Sequence, residues 1–268
     1  MTEVHAILRA AKAAARAAAP IALRGWGQAP GQAKGGRHDL VTEFDVASQD
    51  IISGVLLSAF PESSVIGEEE PVAPTSGLDW HVDPIDGTTN FVSGLPLWCI
   101  SIGASLDGEL VAGVVYDPVR DEMFTATRTE ARLNGAPIRA GGSQHAAGAV
   151  VACDWPDPRI PLWGADEVRA REAYDRMLSS FLAVRRIGSG ALGLAYVAAG
   201  RLDAAVGILS NSWDVAAGRL LLEAAGGRFH PFGPATEHPV GWASERYVAS
   251  TAQLDLKATP LSDLMELL

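Results

Sequence analysis

Cysteine is scarce in this chain: there are two, Cys99 and Cys153, and neither belongs to a CxxC pair. That excludes a zinc ribbon, a dithiol redox motif and a disulfide-stapled scaffold. Both thiols sit in apolar sequence, which predicts reduced core residues and a cytoplasmic setting. Basic charge is also short, with 21 Lys and Arg against 32 Asp and Glu and a net charge of −11. Phosphate backbones repel such a surface, so nucleic acid is not expected as a partner. No uninterrupted apolar run reaches the roughly 20 residues that cross a bilayer, and no membrane association is expected. Residues 1–20 are alanine-rich and carry Arg9, Lys12 and Arg16, the composition of a targeting peptide. They also carry Glu3 and set Val4, Ile7, Leu8, Ala11 and Ala15 at helical spacing, which predicts a packed amphipathic helix instead.

What is present is ordinary globular material. At 268 residues, 48% hydrophobic and 20% charged, the chain is near the upper size for one core, so one or two intimately packed subdomains are expected. We place their division at 1–145 and 146–268. The first helix should end between residues 20 and 27. Residues 27–38, rich in Gly, Pro, Gln and Ala, read as a mobile loop. A second helix over 43–59 follows, capped by Thr42. A strand over 63–66, a Pro/Ser/Gly loop over 71–79 and a strand over 80–82 come next. The runs 98–106, 110–116 and 122–127, separated by Asp107-Gly108 and Asp117-Pro118, predict an antiparallel meander, with a further turn at 133–137. The second part holds a strand over 148–153, helices over 166–181 and 190–199, a strand over 204–208 and the helix after Trp213. The mixture fits a layered α+β design.

Three segments carry the chemistry: Gly67-Glu68-Glu69-Glu70, then Trp80-His81-Val82-Asp83-Pro84-Ile85-Asp86-Gly87-Thr88-Thr89-Asn90-Phe91, then Trp213-Asp214-Val215-Ala216-Ala217-Gly218. Asp, Glu and backbone carbonyl are hard oxygen ligands, which select Mg²⁺ or Mn²⁺. Pro84 stiffens the turn between Asp83 and Asp86, whose spacing can put both carboxylates on one side, with the Ile85 carbonyl as a further ligand. Alone, such a pair could equally cap a helix. A helix opening at Gly87-Thr88 would present free N–H groups to a phosphate. Thr88 is then an N-cap, a holder of water, or both. Together these features describe a magnesium-dependent enzyme acting on phosphate esters.

The ordered motifs GEE, WxxDPIDGTTNF and WDxAAG resemble those of the inositol monophosphatase superfamily, and the likeness runs from about Lys34 to Gly227. The resemblance implies an α-β-α-β-α layered sandwich of the inositol monophosphatase and fructose-1,6-bisphosphatase type. It implies two to three Mg²⁺ ions, with Mn²⁺ able to substitute. Glu68, Asp83 and the Ile85 carbonyl would hold one, and Asp83, Asp86 and Asp214 another. Glu69 would stand behind these ligands and Glu70 on the surface. Thr88 and Asp45 would form a relay that, with Glu68 and Glu69, makes the catalytic set. Asp86, Gly87, Thr88, Gly190, Asp214 and Lys34 are the candidate phosphate and substrate contacts, although Lys34 reads equally as an ordinary loop lysine. Lithium sensitivity and a homodimer are also implied.

The substrate implied is a small phosphate ester, foremost inositol 1-phosphate, with histidinol phosphate or a sugar bisphosphate as alternatives. One departure from the family stands out. Inositol phosphatases commonly carry a glutamate seven residues before the aspartate of WDxAAG, and here that residue is Gly207. Asn211 or Ser212 would have to stand in for it, and a glutamate restored at 207 is expected to favour inositol 1-phosphate.

Overall fold

The computed structural model describes residues 3–36, 39–69, 77–157, 165–233 and 242–267. Helix α1 (Glu3–Gly25) turns Ile7, Ala11, Ala14, Ala15, Ala18 and Ala22 inward, and it runs through Pro20. It packs against α2 (Glu43–Ala59). The small alanine stripe lets the two helices approach closely on one face of a seven-stranded sheet. That sheet runs β3 (Ser64–Gly67), β4 (Leu78–Asp86), β5 (Cys99–Leu106), β6 (Glu109–Asp117), β7 (Glu122–Thr127), β8 (Glu130–Leu133) and β9 (Ala136–Pro137) in spatial order. Apart from the parallel β3–β4 pair it is antiparallel. The hairpin turns lie where Asp107-Gly108 and Asn134-Gly135 place them, with positive φ at all four residues.

Two apolar helices, α5 (Gly190–Ala198) and α6 (Ser212–Ala224), form the middle layer between this sheet and a five-stranded one. Small residues bring α6 onto the first sheet: a Cβ at Gly103 would lie 2.3 Å from Ala216 Cβ. The second sheet has the order β11 (Ala183–Arg185), β10 (Val150–Cys153), β12 (Ala204–Ile208), β14 (Arg246–Ser250), β13 (Arg228–Pro231). Its far face is covered by α4 (Ala165–Ser180) and α7 (Pro260–Leu267), with Trp155, Met177 and Leu261 in the core between. The succession of layers is α-β-α-β-α, as the resemblance implied.

Several elements differ from the sequence reading. The stretch taken for a mobile loop contains β1 (Gln32–Gly36), which pairs antiparallel with β2 (Asp39–Val41) just beyond it. The strand expected to stop at Asp83 continues to Asp86 with a shift of register between those two residues. Strands β11, β13 and β14 and helix α7 were not anticipated. Residues 71–76 of the expected Pro/Ser/Gly loop lie outside the described residues, as does Glu70.

Candidate active site

The register shift in β4 is what aims two aspartates the same way. Asp83 pairs with Ser101 and Asp86 with Cys99, so an extra residue is accommodated between them. Asp83 Oδ1 accepts the Ile85 N–H at 2.9 Å, which fixes the turn. Asp214 arrives from the first turn of α6, where its Oδ2 accepts the Asn211 N–H at 2.6 Å. Oxygens of Asp83, Asp86 and Asp214 all lie within 4.8 Å of one another. Glu68, at the end of β3, lines the same cleft, together with Ile85, Gly87 and Thr88.

Packing like charges out of water is costly, and the carboxyls register it. Burial, then the charges of Glu68, Asp86, Asp214 and Asp45, holds Asp83 well above the usual carboxylate range. Burial lifts Asp214 to about 8, with Asp86 and Glu68 adding to the rise. Asp86 is also raised by burial, against the pull of its hydrogen bonds to Ser189, Ala191 and Gly190. A buried, all-oxygen cluster with mutually repelling charges fits a hard divalent cation, which would relieve the repulsion and satisfy the oxygens. The cluster can therefore hold a metal ion.

Asp86 has a second attachment that was not foreseen. Its oxygens accept the Ser189 hydroxyl at 2.5 Å, the Ala191 N–H at 2.8 Å and the Gly190 N–H at 3.2 Å. One carboxylate thus ties the acidic cluster to the start of α5, where free N–H groups and the positive helix end favour it. This brings Gly190 to the cleft. Cys99 lies 3.6 Å from Asp86, and burial with the nearby Asp86 and Asp83 charges pushes its thiol well up, leaving it protonated and inert.

Gly87 precedes α3 (Thr88–Val92) with φ of 98°, a conformation that suits glycine. A Cβ there would also lie 3.0 Å from the carbonyls of Leu97 and Gly188. Glycine is required here by the chain path and by the close approach of those carbonyls. Thr88 Oγ1 sits 3.2 Å from the Ile85 carbonyl and 3.4 Å from Asp45 Oδ1. Asp45 Oδ2 is held by the Thr42 N–H at 2.8 Å and hydroxyl at 2.5 Å, closing the capping box of α2. Asp45 is therefore both a helix-cap partner and a neighbour of Thr88. Gln49, from the same helix, accepts the Glu69 N–H at 3.1 Å and fixes the chain beside Glu68.

Lys34 lies on β1, and its side chain falls outside the described part of the structure. Ser212 does not stand in at the missing acceptor position: it is buried, with its hydroxyl 3.0 Å from His81 Nδ1. Asn211 does line the cluster side of the cleft. Residues not singled out in the sequence complete the wider cleft of about 470 Å³, among them Asp154, Asp157, Arg186, Ser189 and Tyr247. They come from β10, β11 and β14 or the loops after them, and nothing local in the sequence joins them to Asp83.

The sequence and the fold both resemble those of known proteins. The sequence matches the inositol monophosphatase family over residues 3–265. The Nus factor SuhB of Escherichia coli K12 is 35% identical over 229 residues, 84% of either chain. The Nus factor SuhB of Pseudomonas aeruginosa is 38% identical over 203 residues, 72% of this chain and 73% of that one. Among solved structures, the IMPase of Thermotoga maritima superposes with a TM-score of 0.81 at 29% identity, covering 95% of each chain. The extragenic suppressor protein suhB of Bartonella henselae gives 0.82 at 30% identity, covering 92% of this chain and 95% of that one. With the family model matched over residues 3–265 and relatives 35–38% identical over most of their length, the chain belongs to the inositol monophosphatase family.

Proposed function

We propose that this protein is a Mg²⁺-dependent hydrolase of small phosphate monoesters, with inositol 1-phosphate as its reference substrate. The observation that carries this reading is the set of three convergent carboxylates beside the Gly87-Thr88 turn. Glu68, Asp83 and the Ile85 carbonyl would hold one ion, and Asp83, Asp86 and Asp214 a second, with a third near Glu68 and Mn²⁺ able to replace Mg²⁺. Bound there, the ions supply positive charge to the phosphoryl oxygens and to the departing alkoxide.

The protein's own groups do the rest. N–H groups at the Gly87-Thr88 turn hold a phosphate oxygen. The Thr88 hydroxyl orients the attacking water, with its own proton directed to Asp45 or to the Ile85 carbonyl. Glu69 supports the chain beside Glu68. Leu40, on the strand paired with that of Lys34, lines the cleft, which supports a role for that lysine toward the incoming ester. Li⁺ is expected to compete for the Asp83, Asp86 and Asp214 position. A cytoplasmic homodimer completes the proposal.

The name Nus factor borne by relatives favours a second reading, in which the chain binds the transcription machinery. The net charge of −11 directs that reading to a protein partner rather than to nucleic acid. The test is kcat/KM with Mg²⁺ across inositol 1-phosphate, histidinol phosphate, fructose 1,6-bisphosphate and 3′-phosphoadenosine 5′-phosphate. Turnover of at least one supports the hydrolase. Turnover of none leaves the binding role alone.

A further inference from the structure

Gly207 is not an empty position. It pairs across the sheet with Tyr247, and a Cβ built on Gly207 would lie 2.1 Å from Tyr247 Cε1 and 2.7 Å from its hydroxyl oxygen. The ring therefore occupies the space that a side chain at 207 would enter. Phe229 stacks against it at 4.7 Å, with the Arg219 guanidinium 4.7 Å beyond, so the ring has little freedom to swing away. Tyr247 is 1% exposed yet lines the cleft, and a Cβ on Gly190 would sit 3.7 Å from its hydroxyl oxygen. None of the hydrogen bonds found among the described residues engages that oxygen. The ring is buried while its hydroxyl faces the cleft, where a ligand or water can complete it.

We propose that Tyr247 is the specificity-determining residue of this cleft. Its O–H, where the resemblance to inositol phosphatases led to the expectation of a carboxylate from position 207, donates to a single oxygen of a sugar or polyol leaving group. This inference rests on the hydrolase reading and narrows its substrate class. A carboxylate can accept from two adjacent hydroxyls at once, whereas a phenol offers one proton in one direction. The exchange removes the bidentate grip on a vicinal diol and retains a grip on one hydroxyl or ether oxygen. Burial keeps the phenol protonated and a donor.

A glutamate introduced at 207 alone would first have to displace the Tyr247 ring. The obstacle is not the backbone, since φ at 207 is not positive, but the tyrosine ring already in place.

The test compares inositol 1-phosphate and glycerol 2-phosphate, which bear hydroxyls, with p-nitrophenyl phosphate, which bears none. Tyr247→Phe keeps the ring stack and removes only the hydroxyl. It should lower kcat/KM for the two polyol esters about tenfold, a change of the size one neutral hydrogen bond gives, and leave p-nitrophenyl phosphate unchanged. Gly207→Ala, which displaces the ring, should lower the polyol esters in the same selective way. Gly207→Glu combined with Tyr247→Ala should shift the ratio of inositol 1-phosphate to glycerol 2-phosphate about tenfold toward inositol. Equal loss on all three esters, or no loss, in Tyr247→Phe overturns the assignment to Tyr247 while leaving the hydrolase intact. Absence of turnover of every ester by the wild-type protein overturns the hydrolase reading and this one with it.

Discussion

Replacing Asp83 by Asn should make the metal-free protein more stable while removing its response to Mg²⁺. Asp83 is 3% exposed, and its carboxylate faces Asp86 and Asp214 within 4.8 Å. At an effective dielectric of about 20, each fully charged pair at that distance repels by roughly 3.5 kcal/mol. Proton uptake caps the cost, because each unit of pKa rise is worth only about 1.4 kcal/mol. The folded form holds protons that the unfolded chain has released above its ordinary carboxylate range. The sign follows: with Asp214 raised from 3.8 to about 8, metal-free stability is highest at acidic pH and falls as pH rises through that window. At pH 8, Asp83→Asn should therefore gain about 1–3 kcal/mol, and for a chain of this size each kcal/mol moves Tm by roughly 2–4 °C. The Asn Oδ1 can still accept the Ile85 N–H, so the turn survives. Wild type should gain about 2.7 kcal/mol from Mg²⁺ at a hundred times its Kd, and the variant little. Differential scanning fluorimetry at several pH values, with chelator and with Mg²⁺, reads both effects. A metal-free Asp83→Asn protein less stable than wild type at pH 8, or one with an undiminished Mg²⁺ response, would refute the electrostatic reasoning.

Other outcomes follow from the same contacts. Thr88→Ala should lower kcat by about 10²–10⁴ with little change in Mg²⁺ affinity, whereas loss of a cap alone would cost about 1 kcal/mol and spare kcat; stopped-assay kinetics and Tm together separate the two. Asp86→Ala should cost stability even without metal, by roughly 1–3 kcal/mol, because the Gly190 and Ala191 N–H groups and the Ser189 hydroxyl lose their acceptor; chemical denaturation measures it. Gly67→Ala should destabilise by about 1–3 kcal/mol, since its Cβ would lie 2.2 Å from Gln49 Oε1, and a Gln49→Ala background should relieve part of that cost. Millimolar Li⁺ should inhibit turnover at saturating substrate, and full activity at high millimolar Li⁺ would count against the Asp83, Asp86 and Asp214 position as its site.

The parts of this molecule that could be read from the chain are those encoded locally. Asp107-Gly108 and Asn134-Gly135 set their turns through backbone conformations few residue pairs adopt, and the alanine spacing of α1 declares its buried face. Thr42 announced the start of α2 as a cap does, and the structure adds Asp45 as its capping-box partner. The carboxylates that converge on the cleft were legible because three short motifs carry them. The strands that escaped notice are short: β13 ends on Pro231 and β11 spans Ala183–Arg185, too brief for an alternation to emerge. The attachment of Asp86 to α5 was invisible because 103 residues separate Asp86 from Ser189, and only the stacking of layers joins them. Tyr247 was missed for a similar reason. Gly207 read as the loss of a group, and only the pairing of β12 with β14 reveals that an aromatic ring fills its space.

The central claim is most directly tested by inorganic phosphate release from the ester panel under three conditions: wild type with Mg²⁺, wild type after exhaustive chelation and Mg²⁺ return, and Asp83→Asn with Mg²⁺. The account predicts release by wild type, its loss on chelation and recovery on return of Mg²⁺, and less than about 1% of that rate in Asp83→Asn, equivalent to a barrier raised by at least ~2.7 kcal/mol. Release that survives chelation, or persists at the wild-type rate in Asp83→Asn, would contradict it.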